Sequence, residues 1–343
     1  MRRLIKPAWL IVAIIVVTWG TSSGAHAQRD PKPRTASAAD LHWWPIRDGI
    51  WMLVGAGVNI TASVGPDGVL LVNAGNANAA ERVLAAVKDL QSRVSSLGLL
   101  DASARTASGV TQTSRSPFNT HAPPKPVRYV VNTSALPSDA GADEYLVAKT
   151  GATVLTHENV LTRLVEGHAN FAALPTQTYA DEQYKLGTFF NGEGVRLLHV
   201  PNAATDGDSI VYFRGADVIA AGNLLDMNGF PIIDVDKGGS IDGVIDGLNE
   251  ILNLAIPASA GQGGTTIVPG RGRLADFTDV RAYRDMLAVI RDQVQSLVDK
   301  GMTREQVVDS HPAFGYEARY GAKSGPWTTK MFIDAVYRSL KKG

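Results

Sequence analysis

The sequence predicts an α/β fold in which two sheets pack face to face between outer layers of helices. Short β-rich runs open the folded part of the chain, strands and helices alternate through its middle, and helical patterns dominate its C-terminal part. A sheet buries one face and a helix buries one stripe, so this succession favours a four-layer αββα sandwich. The chain has 343 residues, of which 45% are hydrophobic, and this is ample apolar material for such a core.

The first 27 residues have the features of a secretory signal peptide. A basic segment with Arg2, Arg3 and Lys6 precedes an apolar run, and Ala25-His26-Ala27 fits a cleavage site. The rival interpretation is an uncleaved anchor helix, but the apolar run is shorter than the roughly 20 residues that span a bilayer. We therefore expect cleavage after Ala27, no stable membrane span in the mature protein, and a periplasmic or secreted location.

The charge and the cysteine count restrict the partners and the chemistry. The chain has 33 basic and 33 acidic residues, and removal of a signal peptide with three bases and no acid would leave a net charge of −3. Because no basic run is present, nucleic acid is not an expected partner. The chain has no cysteine, so it has neither disulfides nor a thiolate ligand for a metal.

The linker and the first strands follow the signal peptide. Residues 28–40 are polar and contain two prolines, which predicts a flexible linker before a domain that begins near Leu41. Turn residues separate β-rich runs that predict an antiparallel meander at residues 50–54, 60–64 and 69–72. Residues 79–90 have helical spacing, and residues 95–126, rich in Ser, Thr, Ala and Pro, predict a loop insertion.

The rest of the chain alternates strands and helices and then becomes helical. The predicted strands are residues 127–132, 153–156, 195–199, 209–213, 217–221 and 266–268, and the predicted helices are residues 143–149, 241–254, 281–299, 303–308 and 330–340. Thr303 and Gln306 have the spacing of a capping box, which marks a helix start. We expect one domain over residues 41–290 and a C-terminal helical extension, residues 291–343, packed on it.

Five segments of the chain carry recognisable motifs and follow one another in a recognisable order. They are Gly68-Val69-Leu70-Leu71-Val72-Asn73-Ala74-Gly75, Asn132-Thr133-Ser134-Ala135-Leu136-Pro137-Ser138-Asp139-Ala140-Gly141, His199-Val200-Pro201-Asn202-Ala203-Ala204-Thr205-Asp206-Gly207-Asp208, Ala220-Ala221-Gly222-Asn223 and Val268-Pro269-Gly270-Arg271-Gly272. In order and spacing they resemble the strand-end motifs of the metallo-β-lactamase superfamily, over about residues 41–300. This resemblance implies the family's four-layer αββα sandwich and a hydrolase that uses zinc.

The resemblance breaks at the metal ligands. The positions where the family has His or Asp ligands carry Ser134, Leu136, Ser138, Asp139, Ala204, Asn223 and Arg271. Zinc requires three or four nitrogen, sulfur or carboxylate donors, and here one carboxylate faces a permanent cation. We therefore expect no metal cofactor, no catalytic residue, and a pocket lined by these seven former ligand positions.

Two hypotheses concern the new cation. In the first, Arg271 forms an internal ion pair with Asp139, because a buried charge needs a partner. In the second, the guanidinium receives a small anionic ligand, and the candidate ligand contacts are Arg271, Asp139, Asn73 and Phe230. Serine catalysis by Ser134 or Ser138 is not expected, since no nucleophile-elbow motif is present.

The sequence leaves three functions open. The favoured one is an exported pseudoenzyme that binds a small molecule or a partner protein. An alternative is a hydrolase of the same superfamily with a displaced metal site or a metal-independent mechanism. A third is an inactive subunit that forms an oligomer or assembles with an active paralogue. Fold alone does not decide between them.

Overall fold

The computed structural model describes residues 41–96, 124–187, 189–260 and 263–342. The predicted signal peptide, residues 1–27, and the predicted linker, residues 28–40, lie outside the described residues, as do residues 97–123 of the expected insertion. Residues 95 and 96, which the sequence placed in that insertion, are instead the end of a helix.

Seven strands form the first sheet. In spatial order they are β1 (His42–Arg47), β2 (Ile50–Val54), β3 (Ile60–Gly65), β4 (Gly68–Val72), β5 (Val127–Val131), β6 (Thr153–His157) and β7 (Gln177–Tyr179). The first four strands pair antiparallel, so the predicted meander is confirmed. The strands from β4 to β7 pair in parallel, which places their carboxyl ends at one edge of the sheet.

Five strands form the second sheet. In spatial order they are β12 (Thr266–Arg271), β11 (Val218–Asp226), β10 (Asp208–Phe213), β9 (Val195–Val200) and β8 (Gln183–Lys185). The pairs are antiparallel except for β11 with β12, which run in parallel. The ends of these two parallel strands therefore lie side by side, with Asp226 in register with Arg271.

The described residues contain nine α-helices, of which the sequence predicted six and missed those at residues 137–140, 158–166 and 314–320. They are α1 (Ala80–Ser96), α2 (Pro137–Ala140), α3 (Asp143–Thr150), α4 (Glu158–Glu166), α5 (Ile241–Leu254), α6 (Phe277–Asp299), α7 (Arg304–Asp309), α8 (Phe314–Tyr320) and α9 (Thr329–Lys342). The capping box that Thr303 and Gln306 predict at the start of α7 is confirmed. Helix α6 runs through residues 290 and 291, where the sequence placed the end of the domain.

Alternating side chains build three apolar layers. In β4, Leu70 and Val72 contribute to a core between the two sheets, while Val69 and Leu71 point to a second core beneath α1 and α3. A third core joins the outer face of the second sheet to α5, α6 and the C-terminal helices, and includes Tyr283, buried at the centre of α6. These layers confirm the αββα sandwich. Within the described ranges, no helix is both long and apolar enough to cross a membrane.

Candidate functional site

The site begins where the parallel strands of the first sheet end. Asn73 follows β4 with a positive φ of 68°, a conformation that asparagine tolerates better than most residues. Its Oδ1 accepts hydrogen bonds from the backbone nitrogen of Thr133 at 2.9 Å and from Thr133 Oγ1 at 3.0 Å. Asn73 therefore fixes the start of the loop after β5, which carries four of the seven former ligand positions.

A glycine in the second sheet lets that loop approach closely. Gly222 has a φ of 54° within β11, where the pairing with β12 shifts register. A Cβ at this position would lie 2.6 Å from Thr133 Oγ1, so a larger residue would push the two sheets apart. The next residue, Asn223, is thereby brought to the loop after β5.

Asp139 is the centre of a closed hydrogen-bond network. The residue is 0% exposed, and its Oδ2 accepts from Ser134 Oγ at 2.6 Å and from Asn223 Nδ2 at 2.5 Å. Its Oδ1 accepts from Ser138 Oγ at 3.1 Å. Burial raises the pKa of Asp139 above its usual range, against the opposing effects of the Ser134 hydrogen bond and the charge of Arg271. Both carboxyl oxygens are thus occupied by the protein's own donors.

Arg271 pairs with a different carboxylate from the one expected. Its Nη1 lies 3.7 Å from Asp226 Oδ2 and 3.4 Å from Asn223 Oδ1, and its Nη2 lies 3.5 Å from Ser138 Oγ. The hypothesis of a direct ion pair between Arg271 and Asp139 is therefore wrong. Asp226 lies beside Arg271 because β11 and β12 are parallel and in register there, whereas the side chain of Asn223 lies between Arg271 and Asp139.

The two remaining former ligand positions contribute only backbone atoms. The backbone nitrogen of Leu136 donates to Ser134 Oγ at 3.1 Å, at the start of α2. Ala204 is fully buried in the turn after β9, where its carbonyl accepts from the backbone nitrogen of Asp234 at 2.8 Å. Hydrogen bonds therefore bring six of the seven positions together, and Ala204 is not part of this network in the described chain.

These residues do not fit a zinc ion. Leu136 and Ala204 have no donor atom, both oxygens of Asp139 are engaged, and the Arg271 guanidinium lies against Asn223. Zinc in a catalytic site needs three protein ligands and an open position for water. Within the part of the chain that the structure describes, no three His, Cys, Asp or Glu side chains are arranged to hold a metal.

A cleft of about 240 Å³ opens beside this network. Arg271 and Asp226, at the ends of β12 and β11, line it together with Phe230 of the loop after β11, and Tyr320 and Trp327 line it from the C-terminal segment. Of the candidate ligand contacts, Arg271 and Phe230 therefore reach the cleft. The other two, Asp139 and Asn73, are buried at 0% and 2% exposure and do not line it.

Sequence reasoning missed three of the cleft residues. Asp226 ends β11 as the structure has it, three residues after Asn223 and five residues beyond the end of the strand predicted at residues 217–221. Tyr320 and Trp327 belong to the C-terminal segment, more than 40 residues beyond the last motif, and no local pattern connects them to the site.

Two further acids are buried near the site. Burial raises the pKa of Asp143 to about 8, and the hydrogen bond from Asn132 Nδ2 at 2.5 Å opposes this only in part. Burial also raises the pKa of Asp208 to about 7, although Thr205 donates to it from both its backbone nitrogen and its hydroxyl. Asp208 therefore accepts a hydrogen bond from an amide of its own turn.

The fold of the chain is similar to that of several solved structures. The metallo-β-lactamase DIM-1 aligns with a TM-score of 0.51 at 9% identity, over 73% of this chain and 97% of its own. VMB-1 aligns with a TM-score of 0.50 at 10% identity, over 73% of this chain and 97% of its own. The stereoselective inverting sec-alkylsulfatase Pisa1 from Pseudomonas sp. aligns with a TM-score of 0.56 at 12% identity, over 87% of this chain and 50% of its own.

Sequence comparison adds no closer relative. No model of a protein family matches the chain, and no curated protein matches it. The structural likenesses, all at low identity, establish architecture and leave activity open. The two sheets, their outer helices and these neighbours together show that the chain has the metallo-β-lactamase fold.

Proposed function

We propose that this protein is a non-catalytic protein of the metallo-β-lactamase fold that binds a small molecule in the cleft beside Arg271. We further propose that it acts in the periplasm or outside the cell, after removal of residues 1–27. The observation that carries the proposal is the Asp139 network, in which the family's ligand positions bind one another through protein hydrogen bonds.

The donor set argues against metal-dependent hydrolysis. A catalytic zinc lowers the pKa of a bound water and polarises a carbonyl, and both effects require a held metal. Here the sole carboxylate among the seven positions is saturated by Ser134, Ser138 and Asn223, and Arg271 adds a positive charge beside them. A metal entering this position would have to break those contacts and overcome that charge.

Burial argues against the metal-independent alternative. A serine nucleophile needs a base, an oxyanion hole and access to substrate. Ser134 has a carboxylate partner in Asp139, but both residues are 0% exposed. A substrate could not reach the Ser134 hydroxyl without opening the loop after β5.

The cleft supports a binding role. Arg271 has a side chain that is 28% exposed, and its guanidinium faces a concave surface with aromatic walls. Guanidinium groups bind carboxylates and phosphates through paired hydrogen bonds, so a small ligand with an anionic group fits this position. Clefts of this composition are common ligand sites.

Zinc content is the direct test of the proposal. Purified protein is incubated with excess zinc, passed through gel filtration and measured by elemental analysis. We expect less than about 0.1 zinc per chain, because a defined site would retain close to one or two ions. Retention of one or two ions would overturn the proposal and would require a metal site built from other residues.

A further inference from the structure

The contacts of Arg271 are longer than those of Arg163 and Arg273. Arg163 binds Asp206 through two nitrogens at 3.1 and 2.6 Å, and Arg273 binds Asp279 through two nitrogens at 2.7 Å each. By contrast, the three contacts of Arg271 range from 3.4 to 3.7 Å. Good charge-assisted hydrogen bonds measure about 2.7–2.9 Å, so a ligand carboxylate could bind this guanidinium more closely than its present neighbours do.

Asp226 makes a simple anion a poor match for the cleft. Its carboxylate lines the same cleft, and its Oδ2 is the atom 3.7 Å from Arg271 Nη1. Its Oδ1 accepts from the backbone nitrogen of Asn228 at 2.8 Å. A ligand carrying only a negative charge would bind Arg271 and meet this second carboxylate, whereas a ligand with a neighbouring ammonium would satisfy both groups.

Part of the cleft lining is aromatic and held in place. Phe230 stacks on Phe332 with ring centroids 4.5 Å apart, and Trp327 Nε1 donates to the carbonyl of Pro231 at 3.1 Å. Tyr320 belongs to the same part of the lining. Because the cleft of about 240 Å³ is smaller than the roughly 300–1,000 Å³ of pockets for drug-sized ligands, its occupant is small and partly apolar.

We propose that the cleft binds the zwitterion of an apolar α-amino acid. The ligand carboxylate binds Arg271, its ammonium binds Asp226, and its side chain packs against Phe230, Tyr320 and Trp327. This inference rests on the proposed function and specifies the ligand class of the same cleft.

Three probes that share a phenyl side chain but carry different charged groups test the inference. Isothermal titration calorimetry is performed on the purified full-length protein with phenylalanine, with 3-phenylpropionate, which lacks the ammonium, and with phenethylamine, which lacks the carboxylate. We expect phenylalanine to bind at least about tenfold more tightly than either analogue, the factor that corresponds to ~1.4 kcal/mol. Equal or tighter binding of 3-phenylpropionate would overturn the amino-acid inference and leave the proposed small-anion function standing.

Variants test which residue binds each charged group of the ligand. D226N keeps the shape of Asp226 and should weaken phenylalanine about tenfold while leaving 3-phenylpropionate unchanged or tighter. R271Q should weaken phenylalanine and 3-phenylpropionate alike. R273Q is the matched control, because Arg273 lies two residues away, does not line the cleft, and should leave all three affinities unchanged.

The remaining outcomes also decide the inference. If D226N weakens phenylalanine and 3-phenylpropionate equally while thermal unfolding shows an intact fold, Asp226 does not select the ammonium and the inference is wrong. If none of the three probes binds the wild-type chain, the inference fails too, and the zinc measurement then judges the proposed function independently.

Discussion

At the scale of single residues, burial keeps a carboxylic acid of this protein in its neutral form. Asp143 is 0% exposed, and its pKa of about 8, which burial causes, means that it is mostly protonated at neutral pH. No donor among the described residues reaches Asp143 Oδ1, and none provides a hydrogen for Asn132 Oδ1. A proton on the Asp143 carboxyl would make it a donor as well as an acceptor, so the neutral acid suits this place better than the carboxylate.

This gives the fold a defined pH dependence. A carboxyl whose pKa is raised on folding stabilises the native state fully below the unfolded pKa of about 4 and loses that contribution as pH rises to about 8. We expect D143N, which is neutral at every pH, to avoid part of this loss. Near pH 9 its free energy of unfolding should be higher than that of wild type by on the order of 1 kcal/mol.

Urea denaturation at a series of pH values measures this effect. D292N is the control, because Asp292 is on the exposed face of α6 and its side chain is 69% exposed. The control should follow the wild-type curve. If D143N also follows the wild-type curve across about pH 5–9, the hypothesis that Asp143 is a buried neutral acid is wrong.

At the scale of elements, the end of β12 depends on a residue outside its own sheet. Asn59 lies before β3 of the first sheet, and its Nδ2 donates to the carbonyls of Pro269 and Gly272 at 2.9 Å each. Its backbone nitrogen donates to the carbonyl of Gly270 at 2.8 Å. These three bonds enclose Arg271, so Asn59 positions the guanidinium at the edge of the cleft.

Removing this side chain should loosen the cleft as well as the fold. We expect N59A to lower the free energy of unfolding by about 1–3 kcal/mol, because two buried carbonyls lose their donor. Ligand affinity should fall in parallel, since Arg271 would no longer be fixed. Q295A, which removes an amide on α6 that donates to Asp299 on the surface, should lower the free energy of unfolding by less than about 0.5 kcal/mol. Unchanged stability and affinity in N59A would show that the end of β12 keeps its position without the Asn59 side chain.

The elements that the sequence predicted well are those with strong local patterns. Helices α5 and α6 have buried stripes at helical spacing, and strands β4 and β5 are short runs rich in valine and leucine. The strands β1, β7 and β8 were not predicted, because they are partly exposed and carry polar residues or tryptophans without a regular alternation. Pairing with a neighbouring strand, which is a tertiary effect, decides their conformation.

At the scale of the whole molecule, the motifs predicted which loops converge but not which charges meet. The order of the five segments fixed the strand ends that carry Asp139, Asn223 and Arg271, and the structure places these residues in one network. The partner of Arg271 could not be read in advance, because Asp226 depends on the register between β11 and β12. The aromatic wall of the cleft likewise depends on how the C-terminal helices return to the second sheet.

If the seven positions lie where the motifs imply, introducing the metal ligands of the metallo-β-lactamase motifs should create a zinc site. The restored chain carries Ser134→His, Leu136→His, Ser138→Asp, Asp139→His, Ala204→His, Asn223→Asp and Arg271→His. We expect it to retain about one to two zinc ions per chain under conditions in which the wild type retains almost none. The R271H variant alone is the matched control and should retain none, since one imidazole cannot hold the metal. A restored chain that folds, by circular dichroism, but takes up no zinc would mean that the motif assignment is wrong.

The stacked imidazoles of His157 and His199 make the boundary between the two sheets sensitive to acid. His157 ends β6 of the first sheet, His199 lies in β9 of the second, and their rings are parallel at a centroid distance of 3.6 Å. Burial, and next to it the charge of His199, lowers the pKa of His157, with Asp206 and Glu158 acting in the opposite direction. A proton on His157 is therefore disfavoured in the folded state, so the contribution of its neutral ring to stability is lost as pH falls below about 6.5. Acidification would therefore weaken the packing of His157 on His199 between the two sheets.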